Sequence, residues 1–408
     1  MLEYYFKYPR VLSRLRDGKL GDELDRIADY LFKNNYKRAS AKAYLSRLAR
    51  LSAFLSHTDH VRPITAAAII SFLGEYETVS SRIAASTAIA LARRVVPECF
   101  EQLLPEPDPH GVLLTAYADY LIHVRGLEEK TQEGLLLAAR RILVWWDDHN
   151  TGLLSAMRGT DVLALVEYLM TFSVSERTRS AMGSSIRRFL KFLRWADLND
   201  HNLARFVPRV PCYRLAHLPP RLAWQDVRRA VDAIDTTTAI GVRNRAIILL
   251  FATTGIRNKE LRSLVLDDIR WRDAHVQIRR TKGRRDRIVP LMQEAGKALA
   301  DYVLQARPGC DSRRVFLQHL PPVRPIDESA VISRIVRSAL ARAGVVLEGP
   351  SGAHLIRHSL ATQLVSQRQP INEVADLLGH RSIDTTAIYV KVALPQLVDV
   401  ALPFPGGA

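Results

Sequence analysis

Prolines partition this chain before any helix or strand is considered. The stretches Leu104-Pro105-Glu106-Pro107-Asp108-Pro109-His110 and Phe206-Val207-Pro208-Arg209-Val210-Pro211, the second continuing to Pro219-Pro220, resist helix and favour extended backbone. They mark off segments 1–104, 111–205 and 218–408, each of ordinary domain size, whereas one hydrophobic core rarely serves 408 residues. Three domains are therefore expected.

Lysine and arginine total 58 against 42 aspartate and glutamate, a formal charge of +16, which calls for a polyanionic partner without specifying a fold. No apolar run approaches the roughly 20 residues of a membrane span, so no membrane role is expected. The start, Met1-Leu2-Glu3-Tyr4-Tyr5-Phe6-Lys7-Tyr8, lacks the pattern of a secretory signal, which makes the cytoplasm the expected compartment. Cys99, Cys212 and Cys310 are odd in number and far apart, giving neither a disulfide framework nor a zinc spacing.

Segments 1–104 and 111–205 read as weak copies of a helical module: Ala28-Asp29-Tyr30-Leu31 recurs as Ala118-Asp119-Tyr120-Leu121, each time followed by a polar turn and a long amphipathic helix. Tyr44, Leu48, Leu51 and Leu55 share one helical face. Around 184–195, Ile186, Phe189, Leu190 and Leu193 form an apolar stripe, and Arg187, Lys191 and Arg194 form a basic one that faces solvent or phosphate. Taken alone, such a basic stripe is more often a solvated face.

The third segment alternates differently. Val242 to Ala252 predicts an apolar helix capped by Gly255, and Ile269-Arg270-Trp271, Val276-Gln277-Ile278 and Arg287-Ile288-Val289 predict a small antiparallel sheet. Helices over Ala330 to Ala343 and Leu355 to Ser366 follow. The expected fold class is mainly α with a small antiparallel β-sheet, helical N-terminal modules preceding a mixed α+β domain.

Four short blocks in this third segment carry the chemistry: Thr254-Gly255-Ile256-Arg257-Asn258-Lys259-Glu260-Leu261, His354-Leu355-Ile356-Arg357-His358, Leu377-Leu378-Gly379-His380-Arg381-Ser382 and Thr385-Thr386-Ala387-Ile388-Tyr389. Arg257 and Arg357 offer planar donor forks that fit phosphate oxygens, whose charge grows in a pentavalent transition state. A tyrosine nucleophile needs such cations, because a free phenol has a pKa of about 10. Tyr389 is the candidate nucleophile. His380 can donate to the same phosphate, and His354, on the same helical face as Arg357, can take or return the phenolic proton. Ser351 and Gly352 are placed to cap that helix. In the turn Arg280-Thr281-Lys282-Gly283-Arg284-Arg285, Lys282 is the candidate general acid for the leaving oxygen, and Arg280, Arg284 and Arg285, with Arg279 and Arg287, are expected to neutralise phosphates of a polyanionic partner. Singly, each of these residues would more often be a surface or core residue. His354 and His358 have a spacing zinc can use, but no third ligand accompanies them, and His358 is expected to be a helix-packing residue.

As an ordered set, the blocks strongly resemble the catalytic domain of the tyrosine recombinases, or phage integrase family, and the resemblance extends over roughly 111–400. It implies that 111–205 is a helical core-binding domain closing with the catalytic domain around duplex DNA, that Lys282 is the sheet lysine that protonates the 5′ oxygen, and that Glu260 occupies the family's acidic position and orients its neighbours. Segment 1–104 departs from the minimal plan and is expected to bind further DNA or hold protomers together. Ile356 stands where the family usually has leucine, and Arg368-Gln369 where a glycine commonly precedes the next helix. The implied activity is site-specific recombination through a 3′-phosphotyrosyl link at Tyr389, without ATP, metal or other cofactor. The partners implied are double-stranded DNA and a homotetramer of protomers, with related recombinases or accessory proteins alongside. A mobile-element integrase or transposase fits better than a chromosome-dimer-resolving recombinase, a type IB topoisomerase or a catalytically silent DNA-binding protein of the same ancestry. The apolar tail 394–402 is expected to dock on a neighbouring protomer.

Overall fold

The computed structural model describes residues 1–58, 63–101, 108–149, 152–172, 175–210, 220–279, 286–347, 352–380, 382 and 384–390. By compactness, residues 1–102 and 217–408 group in one unit and Leu103–Ala216 in another. Among the described residues no helix is long and apolar enough to cross a membrane.

The described residues of 1–102 include the α-helices α1 (Leu2–Tyr5), α2 (Pro9–Arg16), α3 (Gly21–Lys33), α4 (Arg38–His57), α5 (Ala66–Gly74) and α6 (Val79–Val95). The expected face of α4 is the one that packs: Leu48, Leu51 and Leu55 are buried against Leu24, Ile27 and Leu31 of α3, with Tyr44 partly covered. Fully burying a leucine of this kind contributes about 1.5–3 kcal/mol.

The unit Leu103–Ala216 holds α7 (Gly111–Asp119), α8 (Glu129–His149), α9 (Gly159–Thr171) and α10 (Glu176–Trp195). Its core joins Trp145 and Trp146 of α8 to Ile186, Phe189, Leu190 and Leu193 of α10. The two copies of the Ala-Asp-Tyr-Leu pattern end alike, in a left-handed residue ahead of the long helix: Asn35 at φ 56° in one, Gly126 at φ 59° in the other. The second proline stretch does not begin outside this core, because Val207 is 4% exposed and belongs to it.

From residue 220 the chain builds α11 (Trp224–Asp232), α12 (Ala239–Thr254), α13 (Asn258–Ser263), β1 (Ile269–Arg270), β2 (His275–Ile278), β3 (Arg287–Pro290), α14 (Gln293–Asp301), α15 (Ser329–Arg342), α16 (Ala353–Ser366), α17 (Ile371–Leu378) and α18 (Asp384–Val390). The strands make an antiparallel sheet in the order β1-β2-β3, with Ile269 opposite Val276 and Val276 opposite Val289, so one face delivers buried residues to the core. Among the described residues the fold is therefore mainly helical with a small antiparallel sheet, as expected. Arg368, standing where the family commonly has glycine, takes φ 61° between α16 and α17. A side chain in that left-handed conformation costs roughly 1–2 kcal/mol.

Candidate active site

Two helix ends frame the site. α12 is apolar on nearly every side and stops at Gly255, φ 58°, whose N–H returns to the Phe251 carbonyl at 3.0 Å. A Cβ at Gly255 would lie 2.6 Å from Leu378 Cδ2, so the position needs both the left-handed backbone and the missing side chain. α17 ends in the same way at Gly379, φ 63°, where a Cβ would lie 2.6 Å from Arg287 Nη1. Helix C-termini carry partial negative charge on unpaired carbonyls. Here those carbonyls receive the two arginines of the motif. Arg357 donates through Nη1 to the Gly255 carbonyl and through Nη2 to Leu378 O at 2.6 Å, and Arg257 Nη2 donates to Gly379 O at 2.7 Å. Because Leu378 and Gly379 are consecutive, guanidinium groups exactly one hundred positions apart in sequence lie side by side.

Glu260 supports them from below. It is 4% exposed, accepts the Arg257 backbone N–H at 2.9 Å and Arg257 Nη1 at 2.8 Å, and receives Arg287 Nη1 and Nη2 at 3.0 and 2.8 Å. Burial pushes its carboxyl up, but the bonds from Arg287 and Arg257 outweigh that and hold it below the ordinary value. Arg357 is 3% exposed; burial, then Arg257 and Arg287, bring its pKa down to about 9, which leaves it charged at neutral pH.

α16 presents His354, Arg357 and His358 on one face. His354 is exposed to solvent; partial burial of its ring, then Arg357 and Arg257, lower its pKa. Tyr389 of α18 is 2% exposed and packs with Ala361, Val374 and Leu378. Its hydroxyl is hydrogen-bonded to His358 Nδ1 at 2.6 Å, and its ring lies nearly parallel to that of His380, with centroids 6.4 Å apart. His380 is fixed by its backbone N–H to Ala375 O at 2.9 Å and by Nδ1 to Thr386 Oγ1 at 2.7 Å. Burial first, and then His354 and Arg357, bring His358 down to about 4; burial, Arg357 and Arg257 do the same to His380. Both imidazoles are neutral at pH 7. Burial raises the Tyr389 phenol and Arg357 pulls against it, so the phenol keeps its proton.

Of the residues picked out by sequence, Arg257, Glu260, His354, Arg357, His380 and Tyr389 come together here. Lys282, Arg280, Arg284 and Arg285 lie outside the described residues, as do Ser351 and the tail 394–402; Gly352 caps α16 without a side-chain bond. In the other unit, Lys191 and Arg194 are exposed, while Arg187 bonds to the carbonyls of Val207 and Pro208 at 3.3 and 3.1 Å and lines a cleft of about 190 Å³ with Arg125, Arg188 and Lys191. Three expectations need correction. His358 is not merely a packing residue, since it holds the Tyr389 hydroxyl. Arg287 does not face solvent phosphates; its side chain is 11% exposed and paired with Glu260. Arg279 is drawn into an ion pair with Asp268 at 2.9 Å. Strand alternation could have flagged Arg287, which shares a sheet face with buried Val289. Among the described residues no group of three or more His, Cys, Asp or Glu is placed to hold a metal.

Two arginines on consecutive carbonyls beside a histidine-held tyrosine, on a helical domain with a small sheet, define a tyrosine recombinase. The chain belongs to the phage integrase family, whose sequence model matches residues 220–394. It is 57% identical over 411 residues to y4rF of Sinorhizobium fredii (strain NBRC 101917 / NGR234), which carries an integrase/recombinase name, covering 100% of this chain and 97% of that protein. In fold it is similar to XerH site-specific recombinase bound to a palindromic difH substrate (TM-score 0.57, 16% identity, 86% of this chain and 93% of that one). It is also similar to a lambda integrase(75-356) dimer bound to a COC′ core site (TM-score 0.54, 17% identity, 68% and 94%). The protein is accordingly an enzyme of DNA strand cleavage and rejoining, a site-specific recombinase that binds DNA.

Proposed function

We propose that Tyr389 attacks a DNA phosphodiester held by Arg257, Arg357, His354 and His380, forms a 3′-phosphotyrosyl link, and releases a 5′ oxygen that Lys282 protonates. The observation that carries this reading is the pair of bonds from Arg357 and Arg257 to the consecutive carbonyls of Leu378 and Gly379, directly ahead of His380. Charge building on the phosphate oxygens would meet both guanidinium groups, in surroundings where buried donors count for more than in water. The ester conserves the bond energy, so rejoining needs no nucleotide cofactor. Glu260 keeps Arg257 oriented. Four protomers acting on two duplexes, in the cytoplasm and with related recombinases or accessory proteins alongside, complete the proposal. The integrase/recombinase name of y4rF favours a mobile element over chromosome-dimer resolution.

The test is a nicked duplex bearing the site that the wild-type protein selects from a randomised library. A covalent adduct is expected with wild type and none with Tyr389→Phe. No adduct with wild type would point to a silent DNA-binding protein, and relaxation of arbitrary plasmid to a topoisomerase.

We assign 111–205 to core DNA binding through Arg187, Lys191 and Arg194, and the catalytic role to 218–408 with DNA contacts from Arg280, Arg284 and Arg285. For 1–104 the DNA-binding role is favoured over oligomerisation. A cleft of about 530 Å³ is lined there by Tyr5, Phe6, Lys7, Tyr8, Arg38 and Lys42. α2 and α4 contain no acidic residue, and Tyr8 is 76% exposed beside these cations. Aromatic rings set among cations are a common nucleic-acid surface. Replacing Lys7, Arg38 and Lys42 together with alanine is expected to flatten the dependence of DNA affinity on salt by about two to three units of log–log slope. An unchanged slope with an altered sedimentation coefficient would favour the oligomerisation role instead.

A further inference from the structure

We propose that His358 is the group that accepts the proton of Tyr389 during strand cleavage, leaving His354 to bind the phosphate. This rests on the reading of Tyr389 as nucleophile. The geometry separates the two histidines. His358 Nδ1 lies 2.6 Å from the phenolic oxygen, within the reach that proton transfer needs. His354 makes no hydrogen bond to Tyr389 among the described residues; it is exposed, and its ring centroid lies 6.3 Å from that of His358. The acceptor is rigidly carried, because the adjacent Arg357 ties α16 to the ends of α12 and α17, and Ser359 Oγ receives the Leu222 N–H at 2.8 Å.

The Oη–H bond of Tyr389 breaks and its proton goes to His358 Nδ1 while Oη bonds to phosphorus. The bond from phosphorus to the 5′ oxygen breaks with its electron pair, and that oxygen takes a proton from the Lys282 ammonium. Nδ1 can accept only while the ring is neutral with its other proton on Nε2, and burial favours the neutral ring. The charged and titratable groups around His358 are His354 and Arg357 on its own helix, Tyr389 on α18, and His380 ahead of α18. A cationic His358 is unfavourable among them until the negative charge of a bound phosphate offsets it. Proton transfer is thereby tied to substrate occupancy.

The experiment uses the full-length protein at saturating concentration on the selected nicked duplex, in single turnover. His358→Ala is expected to form the adduct about 10²–10⁴-fold more slowly than wild type, with part of the rate restored by added imidazole. His358→Gln, close to histidine in volume, is expected to be similarly slow and supplies the same test should the alanine variant fold poorly. A duplex whose 5′ bridging oxygen is sulfur, a leaving group that needs no proton, is expected to restore Lys282→Ala but not His358→Ala. Either His358 variant cleaving at the wild-type rate or faster would overturn the proposal, as would rescue of His358→Ala by the sulfur substrate. An adduct persisting with Tyr389→Phe would instead defeat the nucleophile assignment itself.

Discussion

Arg357→Ala is expected to lose both strand cleavage and a large part of the stability of the catalytic region. The side chain is 3% exposed and donates to the carbonyls of Gly255 and Leu378. Removing it leaves two buried acceptors unpaired, at about 1–3 kcal/mol each, beside a new cavity. Cleavage falls for a separate reason: losing one preorganised donor to developing charge typically costs about 10²–10³-fold, and a guanidinium supplies more than one. Arg357→Lys separates the two effects. An ammonium keeps the charge and can reach one carbonyl, so the urea midpoint should recover partly. It cannot span two carbonyls and a phosphate, so single-turnover cleavage should remain at least a hundredfold down, roughly the lower bound for such a donor. A lysine variant cleaving like wild type would show that the planar fork is not required.

Glu260→Gln is expected to destabilise the protein by about 3–5 kcal/mol, because it strands Arg257 and Arg287 beside a neutral amide in a largely buried site. The effect has a pH signature. The carboxyl is held below its ordinary value of 4.5, so its contribution is complete above that value and fades as acid carries the pH down through the lower folded value. Urea midpoints followed from about pH 6 to about pH 3 should drop more steeply for wild type than for Glu260→Gln. Parallel curves would mean that the carboxylate is not ionised against these arginines in the folded chain.

The sequence disclosed much of this arrangement because its signals were local. Gly255 after an apolar run predicts a left-handed cap and has one, and the three strands follow the alternation of Ile269, Val276, Ile278 and Val289. Arg257, Arg357, His380 and Tyr389 lie in ordered local blocks that a sequence carries on its face. The contacts that escaped depend on tertiary placement. No spacing rule says which of two imidazoles one helical turn apart meets a phenol 31 positions later, and the structure selects His358. A run of arginines ordinarily marks a solvated face, and that signal outweighs the alternation Arg287 shares with Val289; the structure pairs Arg287 with Glu260 of α13 instead. Prolines mark a linker from Phe206 onward by composition alone, whereas Val207 still packs in the core of the middle module.

The anchoring of both arginines on helix-end carbonyls has a thermodynamic consequence. Immobilising a long cationic side chain costs about 1.5–2 kcal/mol of rotamer entropy. Arg257 and Arg357 incur that loss when the polypeptide folds, so their contribution to DNA association carries almost no further ordering penalty.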